Sequence, residues 1–346
     1  MKIVVLAGGL SPERDVSLSS GSQIANALRE AGHRVLLLDV YEGLQINESE
    51  YDSLFEDNIT GKPYYYKVKD VEPDLEEIKR KCSNGNSLIG KNVLSLCGFA
   101  NIVFIALHGA MGENGQIQAT FDVMGIKYTG TGYIGSLLAM DKDLTKQLLQ
   151  KAGIPTAEWL VFNENSIKAE YIVEKIGLPC VVKPCSAGSS IGVSLVHNME
   201  ELETAISTAN KIESSILIEK MICGREFSVG VLKGEVLPVI EIIPKEGFYD
   251  YKNKYQAELT EDICPANLSE HDTNKVQNLA LKISQILRLG TYSRMDFILN
   301  LSGEFICLEA NTLPGMTPTS LIPQEALAKG ISYIELCNII VNAVIE

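Results

Sequence analysis

Short apolar runs alternate with stretches of helical spacing over the first 40 residues. Ile3-Val4-Val5-Leu6 stops at Gly8-Gly9, which reads as a buried strand running into a turn. Leu18, Ile24, Ala27 and Leu28 then recur at helical spacing, predicting a helix over 16–31 that Gly32 ends. Residues 35–38 are the next apolar run. Strand, helix, strand in that order predicts a parallel, doubly wound unit, with a later strand over 102–107 of the same kind. Between 41 and 98 no period is steady, and the segment reads as a surface excursion with one solvated helix.

The second half changes character. A helix is predicted over 141–152, closed by Gly153 with Pro155 beyond it. Strands are predicted over 180–183, 193–196, 216–219 and 227–232, the first two joined by a glycine-rich stretch, 186–192. Residues 247–265 are polar and aromatic without a period, and a loop of that length in a compact protein is usually a functional lid or disordered. A last amphipathic helix is predicted over 271–289, closed by Gly290.

Composition narrows the function classes. At 346 residues, two or three compact units are expected. Lys and Arg number 30 against 44 Asp and Glu, a formal net charge of −14. That argues against nucleic acid or an anionic membrane as partner, since both need a cationic surface. It leaves room for a small anionic ligand held by a few basic side chains. No apolar run approaches the ~20 residues of a membrane span, and the N-terminal run is too short for a signal peptide. Eight scattered cysteines with no C-x-x-C pair suggest reduced thiols and a cytoplasmic protein.

Three glycine motifs fail on context. Gly85-x4-Gly90-Lys91 imitates a P-loop, but Asn92 replaces the metal-binding hydroxyl and no strand precedes it. Gly130-x-Gly132-x-x-Gly135 imitates a dinucleotide fingerprint without the following βαβ unit, and reads as a tight turn between two domains. Gly188-x-Ser190-x-Gly192 imitates a nucleophile elbow, which needs strand, turn and helix. Here it joins two strands, so a glycine hairpin over phosphates fits better, its N–H groups approaching an anion closely.

The sharpest signal lies near the C-terminus. Two alternating runs flank Ser302-Gly303, predicting a hairpin. A two-residue turn would pair Asp296 with Glu309 and Arg294 with Asn311, all on one side. Met295, Phe297, Leu299, Ile306 and Leu308 would form the opposite, core side. Opposed Cβ atoms lie about 4.5–5.5 Å apart and like charges there repel. Two facing carboxylates therefore need a cation or a shared proton, and an all-oxygen set of Asp, Glu and Asn completed by phosphate suits Mg²⁺. Arg294 suits a carboxylate or phosphoryl oxygen. Spacing alone leaves open an exposed polar face balanced by lysines elsewhere. Lys142, Lys183 and Lys254, together with the glycine loop and the carboxylate hairpin, imply a nucleotide triphosphate.

Taken together, the residues resemble the D-alanine–D-alanine ligases of the ATP-grasp superfamily over nearly the whole chain. The resemblance rests on Gly8-Gly9-x-Ser11-x-Glu13-x-x-Val16-Ser17, His108-Gly109-x-x-Gly112-Glu113, Met140-Asp141-Lys142, Lys183-Pro184-x-x-x-Gly188-Ser189-Ser190-x-Gly192, Tyr249-Asp250-Tyr251-x-x-Lys254-Tyr255, Arg294-x-Asp296 and Glu309-x-Asn311-Thr312-x-Pro314-Gly315-Met316-Thr317. It departs at Asn114, where the family has Asp, and at Pro318-Thr319 before Ser320-Leu321.

The resemblance implies an α/β (α+β) fold, with an N-terminal doubly wound parallel-sheet domain (1–125) followed by an ATP-grasp fold of two α+β subdomains (126–222 and 223–346). It implies ATP and D-alanine as substrates and two magnesium ions, replaceable by manganese, on Asp296, Glu309 and Asn311. Lys142, Lys183, Ser189, Ser190, Lys220, Glu226 and Lys254 would bind ATP, with Glu219, Met221 and Ile222 beside the adenine. Glu13 and His108 would hold the first D-alanine; Lys254, Tyr255, Ser320 and Leu321 the second. Arg294 and the Gly315 N–H would form the oxyanion site, and Glu13, Ser189 and Tyr255 a triad joining the lid to the N-terminal domain. A homodimer is expected from the resemblance alone. Tyr255 favours D-alanine as second substrate; ligation of D-serine or D-lactate, or another ATP-grasp amino-acid ligase, is the alternative. A non-catalytic nucleotide-binding regulator would be expected to lack a metal carboxylate or Arg294, and neither is lacking.

Overall fold

The first apolar run forms the strand Lys2–Ala7, flanked by Arg34–Asp39 and Ile102–Ile105 in a three-stranded parallel sheet. Ile3, Val4, Val5 and Leu6 are all fully buried, as a parallel sheet covered on both faces requires. The helix Arg14–Glu30 makes the crossover and packs on the first two strands. The computed structural model describes residues 1–57, 62–68, 73–82, 84–163, 168–188, 191–245 and 260–345.

The excursion over 41–98 differs from its expected character. Its described residues hold three α-helices, Tyr51–Asp57, Leu75–Cys82 and Val93–Phe99. Only the middle one is the solvated helix foreseen, with no buried residue. Tyr51, Phe55, Val93, Leu96 and Cys97 lie in the N-terminal core. Helices this short bury two or three side chains each, too few for a visible period. The C-terminal helix Tyr333–Asn342 also went unforeseen. It packs on Arg14–Glu30 and gives Leu336, Cys337, Ile340 and Val341 to the same core. Its capping box, Ser332 with Glu335, is an N-terminal signature written in the sequence.

Two antiparallel sheets carry the rest. One orders Trp159–Asn163, Ser215–Lys220, Cys180–Pro184 and Ser194–Val196. The other orders Thr260–Ile263, Ile240–Pro244, Gly224–Leu232, Tyr292–Asn300 and Phe305–Asn311, with Glu235–Val236 paired on Gly224–Leu232. The helix Glu270–Ile286 covers the second sheet through Val276, Ala280 and Ile283.

The hairpin corrects its predicted register. Arg294 faces Asn311 and Asp296 faces Glu309, as expected, but Phe297 faces Cys307 and Leu299 faces Phe305. The turn is one residue longer than two, since Asn300 N–H donates to the Glu304 carbonyl and Gly303 N–H to that of Asn300. A β-bulge between Asp296 and Phe297 takes up the extra residue opposite, Leu308. The core face therefore carries Phe305 and Cys307, not Ile306 and Leu308.

Two rejected glycine motifs are explained by close backbone packing. A Cβ on Gly90 would lie 2.4 Å from the Tyr41 carbonyl oxygen, and one on Gly135 2.6 Å from that of Arg288. Neither can carry a side chain without moving the backbone. Among the described residues no helix is long and apolar enough to cross a membrane.

Candidate active site

The N-terminal glycine loop is folded by a serine. Ser17 Oγ accepts from Gly8 N–H at 2.9 Å and donates to the Ala106 carbonyl at 2.6 Å. This ties the loop to the end of the third parallel strand. Glu13, at the mouth of the helix, is thereby held beside the His108-Gly109 turn: Gly109 has no side chain, and a Cβ there would sit 2.4 Å from Ser11 Oγ. Glu13 is 3% exposed and His108 7% exposed. Burial pulls the His108 imidazole below its ordinary value, with Glu13 opposing and Arg294 adding to the fall. His108 Nε2 is buried without a hydrogen-bond partner among the described residues.

Two cavities meet here. The larger, about 240 Å³, lies between the two antiparallel sheets. Val181, Leu195, Met221, Ile222, Ile298 and Leu308 form its apolar lining. Lys142, Lys183, Lys220, Glu219, Glu226, Asp296 and Glu309 form its charged lining. The smaller, about 60 Å³, is walled by Glu13, His108, Glu113, Arg294, Asn311 and Gly315. Lys142 and Glu309 line both cavities. The first cavity thus offers both apolar and charged groups to a ligand, and Lys142 and Glu309 join it to the second.

The charged groups are held firmly. Asp141 caps the helix Lys142–Lys151, accepting from Asp143 N–H and Leu144 N–H, so Lys142 starts its helix at a fixed place. Its Nζ donates to the Ala187 carbonyl at 2.6 Å, across to the glycine loop. Glu219 is buried between two ammonium groups, Lys183 at 2.5 Å and Lys146 at 2.7 Å. Burial pushes its carboxyl up, but the two lysines outweigh that and hold it below the ordinary carboxylate value. Arg294 makes a fork on Asp296, Nε to Oδ1 at 2.9 Å and NH2 to Oδ2 at 2.7 Å, and Ser228 Oγ donates to the same Oδ1 at 2.8 Å.

The loop after the hairpin is constrained as its prolines suggest. Asn311 Oδ1 accepts from Leu313 N–H. Ser320 Oγ accepts from Thr317 N–H at 3.1 Å and lies 2.9 Å from where a Cβ on Gly315 would be. Leu321 points away from both cavities, its side chain buried with Ile240 and Ile242; only its backbone could serve a ligand. Ser189, Ser190, Lys254, Tyr255 and the rest of the 249–255 lid lie outside the described residues.

Three residues of the site were not foreseen. Lys146 sits one helical turn after Lys142, a spacing visible in the sequence, but a buried lysine has no signature of its own. Glu113 stands in a quoted motif without an assigned role. Its carboxyl is pushed up to about 8 by burial and by Glu13, and it accepts from Gly109 N–H at 2.8 Å. Leu308 reaches the cleft only because of the bulge.

The donor set is compatible with magnesium but does not complete a shell. Among the described residues no three His, Cys, Asp or Glu side chains are grouped to hold a metal ion. Asp296 and Glu309 are opposed, and Asn311 pairs with Arg294 two positions on. Asp296 Oδ2 has a second lone pair beyond its Arg294 bond, while Oδ1 accepts from both Arg294 and Ser228. Two hard carboxylates awaiting phosphate oxygens match how Mg²⁺ is usually held.

Comparison with known proteins bears on the whole chain. Residues 2–131 match the family model described as D-ala D-ala ligase N-terminus, and residues 148–342 the one described as D-ala D-ala ligase C-terminus. A D-alanine–D-alanine ligase of Pediococcus pentosaceus is 42% identical over 347 aligned residues, covering 99% of this chain and 97% of the relative. One from Aquifex aeolicus is 37% identical over 99% of this chain and 100% of its own length. The crystal structure of D-alanine–D-alanine ligase from Bacillus anthracis complexed with ATP superposes with a TM-score of 0.76 at 26% identity, covering 100% of this chain and 97% of that one. With an ATP-grasp architecture and both family segments present in order, the chain belongs to the D-alanine–D-alanine ligase family.

Proposed function

We propose that this protein joins two D-alanine molecules at the expense of ATP, releasing ADP and phosphate and giving D-alanyl-D-alanine for peptidoglycan synthesis. The observation that carries the reading is the pair of walls shared by the two cavities, Lys142 and Glu309. They bring the terminal phosphate of a nucleotide in the larger cavity to the mouth of the smaller one. There a carboxylate of the first D-alanine attacks the γ-phosphorus, forming D-alanyl phosphate and ADP. The amine of the second D-alanine then attacks the carbonyl carbon, and phosphate leaves.

The chain's residues divide this work. Lys142 and Lys183 face the phosphates, and Glu219, Met221 and Ile222 face the adenine, with Glu226 on the ribose. Glu13 takes the ammonium of the first D-alanine, with His108 beside it. Arg294 and the Gly315 N–H stabilise the oxyanion of the tetrahedral intermediate, a contribution of about 3 kcal/mol for one such donor. Ser320 and the lid residues Lys254 and Tyr255 hold the second substrate. Asp296, Glu309 and Asn311 would bind magnesium, which neutralises phosphate charge when present. A closed lid keeps water from the acyl phosphate.

All eight cysteines are free thiols, in keeping with a cytoplasmic enzyme, and a homodimer rests on the family resemblance. Phosphate release measured with ATP and D-alanine, L-alanine, D-serine or D-lactate near neutral pH tests the reading. D-alanine alone should support rapid release without a second acceptor. Faster release with D-alanine plus D-serine, at matched concentrations, would reassign the second substrate; release with L-alanine would overturn the reading.

A further inference from the structure

Lys146 is only 1% exposed, and its charge is spent on specific partners. Its Nζ makes the 2.7 Å ion pair with Glu219, donates to Thr156 Oγ1 at 2.8 Å and to the Ala157 carbonyl at 3.2 Å, and lies 5.4 Å from the centre of the Trp159 ring. Thr156 Oγ1 in turn donates to the Cys307 carbonyl at 3.1 Å, while Cys307 N–H donates to Pro155. One side of the ammonium thus reaches the strand Ser215–Lys220 of the four-stranded sheet. The other side reaches Phe305–Asn311, the strand of Glu309. The two strands form opposite walls of the larger cavity.

The charge balance matters as much as the span. One carboxylate, Glu219, stands between two ammonium groups, so the trio carries a net positive charge. Without Lys146, Glu219 and Lys183 would form a closed neutral pair, and Lys183 would lose its pull on an anion. We propose that Lys146 is a positioning residue for the nucleotide: by taking one oxygen of Glu219 it leaves Lys183 a positive surplus facing the phosphates, and through Thr156 it sets the distance between the two walls of the cleft. This rests on the ATP site argued above. Removing Lys146 leaves Glu219 to Lys183 alone, so the effect should fall on the binding of the anionic substrate, ATP.

The test compares Lys146→Met, Lys146→Gln and the double variant Lys146→Met with Glu219→Gln, measuring ATP affinity by calorimetry, KM for each substrate and thermal unfolding. Lys146→Met should weaken ATP binding about tenfold while KM for D-alanine moves by less than about twofold. Lys146→Gln, which can still donate to Thr156 and Ala157, should fold normally and show the same selective loss. The double variant should bind ATP more tightly than Lys146→Met but less tightly than the wild type, because Glu219 no longer claims Lys183 while the adenine loses its carboxylate. Unchanged ATP affinity, an equal loss for both substrates, or a double variant no better than the single one would overturn the proposal. So would failure of both single variants to fold without repair in the double. A wild-type protein that binds ATP but turns nothing over with D-alanine would refute the ligase reading and leave this test standing.

Discussion

Glu325 is the most unusual charged residue outside the two cavities. It is fully buried on the helix Leu321–Ala328, and its Oε2 accepts from Gly230 N–H at 2.6 Å. Gly230 is glycine because a Cβ there would sit 2.3 Å from that oxygen. The other oxygen, Oε1, has no hydrogen-bond partner among the described residues, and burial raises the carboxyl well above its ordinary 4.5. The folded protein therefore keeps this proton at pH values where the unfolded chain has lost it. Above about pH 4.5 the unfolded state binds fewer protons, so stability falls as pH rises towards the raised folded value. Glu325→Gln keeps an acceptor for Gly230 and removes the titration. Urea unfolding at pH 4.5, 6 and 7.5 should show the variant gaining on the wild type as pH rises, and a pH-independent difference would refute this account. Such a residue is illegible in sequence, since Pro323-Gln324-Glu325 looks like any solvated helical turn. Arg294, Asp296, Glu309 and Asn311 were legible because strand alternation and one glycine turn place them together.

At the scale of elements, the hairpin pairs Asp296 with Glu309 as predicted but by a different route. The turn is longer than predicted and a bulge opposite restores the pairing of Asp296 with Glu309. Two compensating one-residue shifts are invisible in a period-2 pattern. The bulge has a functional result: adjacent residues on a strand normally face opposite sides, yet Leu308 and Glu309 both line the larger cavity. One wall position thus offers an apolar surface beside a carboxylate. Leu308→Ala should raise KM for ATP by about three- to tenfold through lost apolar contact, with KM for D-alanine unchanged. Steady-state kinetics with each substrate varied in turn checks this, and a D-alanine effect alone would place Leu308 elsewhere. The helices Tyr51–Asp57 and Val93–Phe99 and the C-terminal helix were missed for a different reason. Their buried residues belong to a core assembled from distant segments, so local pattern carried little of it.

For the whole molecule, the net charge of −14 describes the surface and not the cleft. Lys142 and Arg294 are each 8% exposed, as is Lys183, so the basic groups that matter are withdrawn from the acidic exterior. Each has a carboxylate near it: Glu309 for Lys142, Asp296 for Arg294, Glu219 for Lys183. With Lys146 as a second partner of Glu219, these groups leave one positive charge over before a ligand arrives. A triphosphate would add negative charge beside Asp296 and Glu309, in keeping with the proposal that magnesium enters with it. The architecture and this constellation were readable from ordered motifs across the chain. The way the trio of Lys146, Glu219 and Lys183 joins the two sheets was not, because it needs the fold. Ligation of two D-alanines by the proposed route cleaves ATP between its β- and γ-phosphates. The most direct measurement is product stoichiometry, with ADP, phosphate and D-alanyl-D-alanine quantified by NMR in one reaction. The account predicts all three in equal amounts; AMP with pyrophosphate, or ADP and phosphate without dipeptide, would contradict it.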